Sequence, residues 1–278
     1  MAKRSNPVMS YIPGKSVIHA LTGTTKLVFF LLFTFSSMLT YDTRVLLGLM
    51  VISFSCFAVS HIKFKDVSFV FWFMVVFLAL NNFFIFLFSP DQGTELYGTR
   101  VVLCHLFGPY DLTREQLFYH FNISLKYFVA LPIALLFITA TNPSEFASSL
   151  NAVGVSYRIG YSVALALRYI PDIQRDYRNI SAQQARGVEL GKKVKLHKRV
   201  KNSISVLMPL IMSSLSRIEA ISNAMELRGF GKEKKRTWYV QRKFSSSDYI
   251  AIAFGVVILT ASLIITFHDG NRFWNPFV

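Results

Sequence analysis

Two arginine–glycine pairs are the residues of this sequence best suited to a specific chemical role. Arg186-Gly187 lies in the run AQQARGVE, and Arg228-Gly229 lies further along the chain in AMELRGFG. A guanidinium group has a planar fork that can make two parallel hydrogen bonds to a carboxylate. Each pair follows a long helical pattern, so both arginines are expected at helix tips. There they could bind the carboxylates or helix-end carbonyls of another protein.

The same pairs also fit an ordinary helix C-cap. Glycine just past a helix end adopts a left-handed conformation at little cost. Arginine in the last turn interacts favourably with the negative end of the helix dipole. Gly187 and Gly229 are therefore predicted to end two helices. Because the motif occurs twice, each time after a small or polar tract, both interpretations stay open: a cap alone, or a cap that is also a contact.

The composition predicts an integral membrane protein. Of the 278 residues, 53% are hydrophobic, 27 are Phe and 16% are charged, whereas soluble domains carry about 25% charged residues. Several apolar runs approach the ~20 residues that cross a bilayer. The formal net charge is +15. Membrane proteins concentrate Lys and Arg in cytoplasmic loops, so this charge indicates topology, and no nucleic-acid partner is predicted.

The apolar runs divide the chain into three regions of an all-α integral membrane protein. Residues 1–141 are predicted to hold four spans, with an outer loop near 89–120. Residues 142–247 carry 19 Lys or Arg against 7 Asp or Glu, and residues 248–278 form the last span and the tail. The positive-inside rule places the N-terminus and the basic segment in the cytoplasm. The five predicted spans are 24–41, 45–60, 67–88, 121–141 and 248–267.

The basic segment has a helical pattern. A short helix is predicted from Pro143 to near Gly154, and two long helices follow, with kinks at Pro171 and Pro209. The second long helix carries a stripe of small residues at helical spacing, which would let two helix backbones approach closely. This stripe consists of Ser213, Ser216, Ala220 and Ala224.

Other polar residues suggest little chemistry of their own. Asn81 and Asn82 lie in the third predicted span, where an amide serves either a helix–helix hydrogen bond or a contact with a partner. Cys56 and Cys104 are not predicted to form a disulfide. The six histidines show no metal-ligand spacing, and no phosphate-binding loop of the G-x-x-x-x-G-K-[ST] type occurs. We therefore expect no catalytic residues and no metal or cofactor bound by this chain.

Longer stretches around these motifs resemble the transmembrane T component of energy-coupling factor transporters, of the EcfT/CbiQ type. YIPGKSVIHALTGTTKL (11–27) is similar to the family's N-terminal pattern, in which a Pro, a Ser and a His precede a Lys-Leu pair. LRYIPDI (167–173) resembles its Arg-aromatic-x-Pro helix, and MPLIMSSLSRIEAISNAMELRGFG (208–231) resembles its last coupling helix. The likeness covers most of the chain. Leu227 stands where the family usually has Ala, and TGT stands where it often has Asp-Pro-Arg.

The resemblance implies a non-catalytic subunit of an ATP-driven importer in the plasma membrane of a prokaryote. Its partners would be two ATPase subunits, identical or different, and a small membrane S component that captures a vitamin, another micronutrient or a metal. ATP and Mg²⁺ would bind to the ATPases. The helices of 142–247 would be coupling helices, and their tips, Ala185-Arg186-Gly187 and Leu227-Arg228-Gly229, would contact the ATPases.

Two other classes of protein are alternatives to the transporter subunit. A self-sufficient permease would need polar residues lining several spans. A membrane-embedded lipid-modifying enzyme would need convergent acids, His or Ser in or near the spans. The sequence has few such residues in its apolar runs, which favours the transporter subunit.

Overall fold

The structure is a computed structural model and describes residues 11, 14, 16–107, 110–185, 196–233, 237–238, 241–268 and 273–275. The chain separates into two compact units, Met1–Asn142 with Arg242–Val278, and Pro143–Gln241. The described elements of the first unit are α1 (Val17–Ala20), α2 (Gly23–Leu39), α3 (Thr43–Val59), α4 (Phe64–Phe88), α5 (Gln92–Tyr97), β1 (Val102–Phe107), β2 (Tyr110–Thr113), α6 (Arg114–Ala140) and α10 (Ser246–His268). Those of the second unit are α7 (Pro143–Ala152), α8 (Tyr157–Ala185) and α9 (Leu196–Leu227).

The prediction of an all-α integral membrane protein is confirmed. Four helices in the described ranges are long and apolar enough to cross a membrane, namely Phe64–Phe88, Arg114–Ala140, Ile204–Leu227 and Ser246–His268. Helices α2 and α3 are apolar but have 17 residues each, or about 25 Å of helix. Thr22 and Asp42 accept hydrogen bonds from the first turns of α2 and α3, which fixes where these helices begin.

The observed helices differ from the predicted spans in two informative places. The fourth predicted span begins at residue 121, whereas α6 begins at Arg114. The additional turns hold Glu115 and Gln116, both fully buried and hydrogen-bonded within the chain. The third long apolar stretch, Ile204–Leu227, belongs to α9, which the sequence places among the coupling helices rather than the spans. Its mean hydropathy of 1.5 is below the 2.0–2.6 of the other three.

The core of the first unit lies where α2, α3, α6 and α10 meet. Its buried side chains are Phe33, Leu49, Val129, Ile133 and Ile258. The order of these helices is also fixed by polar bonds. Ser53 Oγ on α3 donates to the Val129 carbonyl at 2.8 Å, and Thr266 Oγ1 on α10 lies 2.6 Å from Thr40 Oγ1. In an apolar medium each such polar group needs a partner inside the protein.

The segment between α4 and α6, predicted as a polar loop, contains α5 and an antiparallel hairpin of β1 and β2. Val102 lies opposite Thr113, and Phe107 lies opposite Tyr110. The base of the hairpin is tied to α6, because Glu115 Oε2 accepts from the Val101 amide at 3.0 Å. Cys104 on β1 is exposed, and both Cys56 and Cys104 are free thiols as predicted.

A hydrogen-bonded row of side chains links α4 to α6. Asn82 Nδ2 donates to the Leu78 carbonyl and to Ser124 Oγ, so its Oδ1 faces His120 Nδ1 at 2.8 Å. On the other side, Gln116 Nε2 donates to the Ser89 carbonyl and faces His120 Nε2 at 3.2 Å. The backbone contacts fix both amides, so His120 is neutral and carries its proton on Nδ1. Asn82 therefore does make a helix–helix hydrogen bond.

Replacing Asn82 by Leu should destabilise the first unit by about 1 kcal/mol, since Ser124 and His120 lose a partner in an apolar environment. Asn81→Leu is the matched control, because Asn81 is a half-buried neighbour on the same helix. The apparent Tm of the purified protein in detergent measures the effect. Equal Tm values for the two variants would contradict the assigned network.

Candidate functional site

The end of α9 is closed by a Schellman motif. The Phe230 amide donates to the Met225 carbonyl at 3.0 Å, and the Gly229 amide donates to the Glu226 carbonyl at 2.9 Å. This pattern requires a left-handed residue at Gly229, whose φ is +67°. The prediction that Gly229 ends this helix is confirmed. Its consequence is that Arg228 is the last residue before the chain turns away from the helix axis.

Two side chains at this tip are exposed. Leu227 is 90% exposed, and Arg228 is exposed as well. Leu227 therefore contributes little to the packing of its own unit. It adds an apolar branched side chain beside the guanidinium group.

The first Arg-Gly pair falls where the description of the chain stops. Ala185 is the last residue of α8, and Arg186 and Gly187 lie outside the described residues.

The helices α8 and α9 continue past Pro171 and Pro209, at which the sequence predicts kinks.

Helices α8 and α9 contact each other and run in opposite directions. Near the tip, the Phe230 ring lies 4.9 Å from the Tyr161 ring and 5.7 Å from the Tyr157 ring. Arg158 Nη2 donates to the Gly231 carbonyl at 2.8 Å. Further along, Arg217 on α9 pairs with Asp176 on α8. The tip of α9 is thus held against the first turns of α8 by aromatic and polar contacts.

A cleft of about 640 Å³ opens beside the tip. Arg168 and Arg228 line it together with apolar and aromatic side chains. The remaining lining residues are Ser144, Tyr157, Tyr161, Ala164, Leu165, Tyr169, Ile221, Ala224, Met225, Phe230, Thr237 and Trp238. A surface of this composition suits a partner segment that offers both apolar and acidic side chains.

The chain that leaves the tip is anchored by Trp238. Its Nε1 donates to Asn151 Oδ1 on α7 at 3.1 Å, and its ring packs on Gly160 of α8. A Cβ atom at Gly160 would lie 3.2 Å from Trp238 Cζ2 and 3.0 Å from the Ala147 carbonyl oxygen. A side chain at position 160 would therefore crowd both of these atoms, which a glycine avoids. The sequence signal for the contact is a glycine that interrupts a helical pattern without ending it.

The small-residue stripe of α9 is not the face that meets α8. Ser213, Ser216 and Ala220 are exposed, and Ala224 lines the cleft. The less exposed positions of α9 follow helical spacing on another face: Val206, Leu210, Ser214, Arg217, Ile221 and Met225. The structure therefore brings Ala224 to the cleft and leaves the other three stripe residues on the open surface.

These features define a class: a multi-pass helical membrane protein with a second unit of two long antiparallel helices, one of which ends in an exposed arginine. A family model for CbiQ, described as a cobalt transport protein, matches residues 14–239. The chain therefore belongs to the CbiQ family, the transmembrane T components of energy-coupling factor transporters.

Individual relatives agree over nearly the full length. The chain is 25% identical over 267 residues to the energy-coupling factor transporter transmembrane protein EcfT of Exiguobacterium sibiricum, covering 92% of this chain and 95% of the relative. It is 26% identical over 269 residues to EcfT 1 of Listeria monocytogenes, with the same coverage. It is 25% identical to EcfT of Bacillus subtilis over 91% and 95% of the two chains.

Gly229→Ala should weaken the cap by about 1 kcal/mol, because a side chain is strained in the left-handed conformation. Amide hydrogen exchange at residues 229 and 230 should become faster. Leu227→Ala is the control, and its exposed position predicts a change in stability within about 0.5 kcal/mol. Unchanged exchange in Gly229→Ala would contradict the strained cap.

Proposed function

We propose that this chain is the energy-coupling subunit of an importer, which transmits ATP binding and hydrolysis in two partner ATPases to a substrate-binding S component. The imported compound would be a vitamin, another micronutrient or a metal. The relatives' names support a place in energy-coupling factor complexes. The single observation that carries the mechanism is the exposed Arg228 at the capped tip of a 32-residue helix.

The tip is suited to transmit movement because it is stiff. Its backbone is closed by the Gly229 cap, and Phe230 and Gly231 are held by Tyr161 and Arg158 of the neighbouring helix. A push on the Arg228 side chain is therefore passed to α8 and α9 rather than absorbed by a loose end. Rigid helices that link two-state partners are a common way to couple distant sites.

The chain would supply no catalytic group. ATP and Mg²⁺ would be held by the ATPases, whose grooves would accept the tips at Arg186 and Arg228. The basic segment would face the cytoplasm, where its 19 Lys or Arg against 7 Asp or Glu agree with the positive-inside rule. The N-terminus would lie on the same side, in the plasma membrane of a prokaryote.

Replacing Arg186 and Arg228 together by Glu tests the proposed contact. The complex reconstituted with its ATPases and S component should lose ATP-driven uptake and ATPase stimulation. Loss of each charge-assisted pair costs about 2–5 kcal/mol of binding, so assembly on size-exclusion chromatography should weaken as well.

Arg178→Glu is the control for a single charge reversal on this unit, since Arg178 is exposed on α8 and bonds only its own helix among the contacts described. It should retain uptake. Normal uptake and normal ATPase stimulation in the double variant would refute the role of the two arginines.

A further inference from the structure

Two peptide connections join the second unit to the first, one after α6 and one before α10. We propose that the start of α2, residues Thr22 to Lys26, is a clamp that holds the ends of both helices, and that Lys26 is a positioning residue for energy coupling. The role of the clamp rests on the proposed function above. The clamp itself is built from residues of the first unit alone.

Lys26 holds the end of α6. Its Nζ donates to the Ala140 carbonyl at 2.9 Å and to the His19 carbonyl at 3.3 Å, and the residue is 5% exposed. Ala140 is the last residue of α6 and stands three positions before Pro143, where the second unit begins. A cation at a helix C-terminus binds the carbonyls that have no partner within the helix.

Asp248 ties the start of α10 to the same segment. The residue is 1% exposed, and its Oδ1 accepts from the Thr22 amide at 2.8 Å. Its Oδ2 accepts from the amide and the hydroxyl of Ser245, both at 2.8 Å. The carboxylate thus closes the first turn of α10 and fastens it to the N-cap residue of α2.

The clamp is braced from the N-terminal side. His19 is buried, and its Nδ1 lies 2.7 Å from Ser16 Oγ. A Cβ atom at Gly14 would come within 2.7 Å of the His19 ring, so a side chain there would displace that ring. Gly14 and residues 16–27 thus have a physical role: they orient the His19 carbonyl toward Lys26 and the Thr22 amide toward Asp248.

The end of α6 and the start of α10 must both be held in place if movement of the coupling helices is to reach the membrane unit. If the end of α6 or the start of α10 could slide, movement imposed on the coupling helices would be absorbed at the connections. Partners would still bind, and ATP would still be hydrolysed. The expected defect is therefore in the number of substrate molecules imported per ATP hydrolysed, which a loss of folding or assembly alone would not change selectively.

The test uses the complete complex in liposomes and measures uptake and ATP hydrolysis together. Lys26→Met should lower uptake per ATP about tenfold, within the usual range of coupling between sites, while the ATPase rate stays within about twofold. Lys26→Arg should restore most of the ratio, because it keeps a cation that can reach the carbonyls. Lys65→Met, at an exposed lysine of α4, should behave as the unaltered chain.

Asp248→Asn is the second variant. If Lys26→Met does not assemble, Asp248→Asn tests whether the clamp is needed for coupling. It should also lower uptake per ATP, because a neutral amide replaces the carboxylate that accepts these bonds. An unaltered ratio in the assembled variants, or equal losses of uptake and ATP hydrolysis that Lys26→Arg does not rescue, would overturn the clamp. If the variants at Arg186 and Arg228 are normal while Lys26→Met is uncoupled, the arginine contacts fail and the clamp stands.

Discussion

Lysine side chains on the carbonyl ends of neighbouring helices are the interaction on which the membrane unit depends. Lys26, at the start of α2, bonds the last carbonyl of α6, and Lys126 of α6 bonds the Met38 carbonyl near the end of α2 at 3.1 Å. The Lys126 ammonium also lies 3.2 Å from the centre of the Tyr41 ring. The two helices thus cap each other, which fixes their antiparallel order and their relative height. Helices α3 and α10 then pack against this pair.

The sequence predicted the membrane helices well where the side chains are apolar and less well where polar groups are buried. Hydropathy located α4, α6 and α10, but it placed the start of α6 seven residues late. The missed turns contain polar residues whose partners come from elsewhere: Gln116 bonds the Gly93 amide and the Ser89 carbonyl, for example. Hydropathy assigns such polar residues to loops, because the residues that pair with them in the fold are distant in the sequence. The hairpin was missed for the same reason, since the Asp111 carboxylate that bonds Arg100 and His105 looks like a loop charge.

In the second unit, the helix ends were predictable and the helix faces were not. Gly154 and Gly229 both take positive φ values at the expected helix ends, because the C-cap is a local structure. The contact between α8 and α9 is not local. Helix α9 is apolar on several faces, with Met208, Met212 and Leu215 exposed, so periodicity alone does not identify the face that is covered. Arg217 marks that face, but its significance depends on Asp176, 41 residues away.

The closed backbone at the end of α9 limits what the main chain there can bind. Four backbone amides at this helix end donate to nearby backbone carbonyls, namely those of Arg228, Gly229, Phe230 and Lys232. These amides are therefore not available to bind an anion. In the proposed contact, a partner would therefore meet the side chains of residues 227 and 228 rather than the backbone. Because Leu227 is 90% exposed, substitutions at 227 would alter the proposed contact surface with little effect on the stability of the second unit.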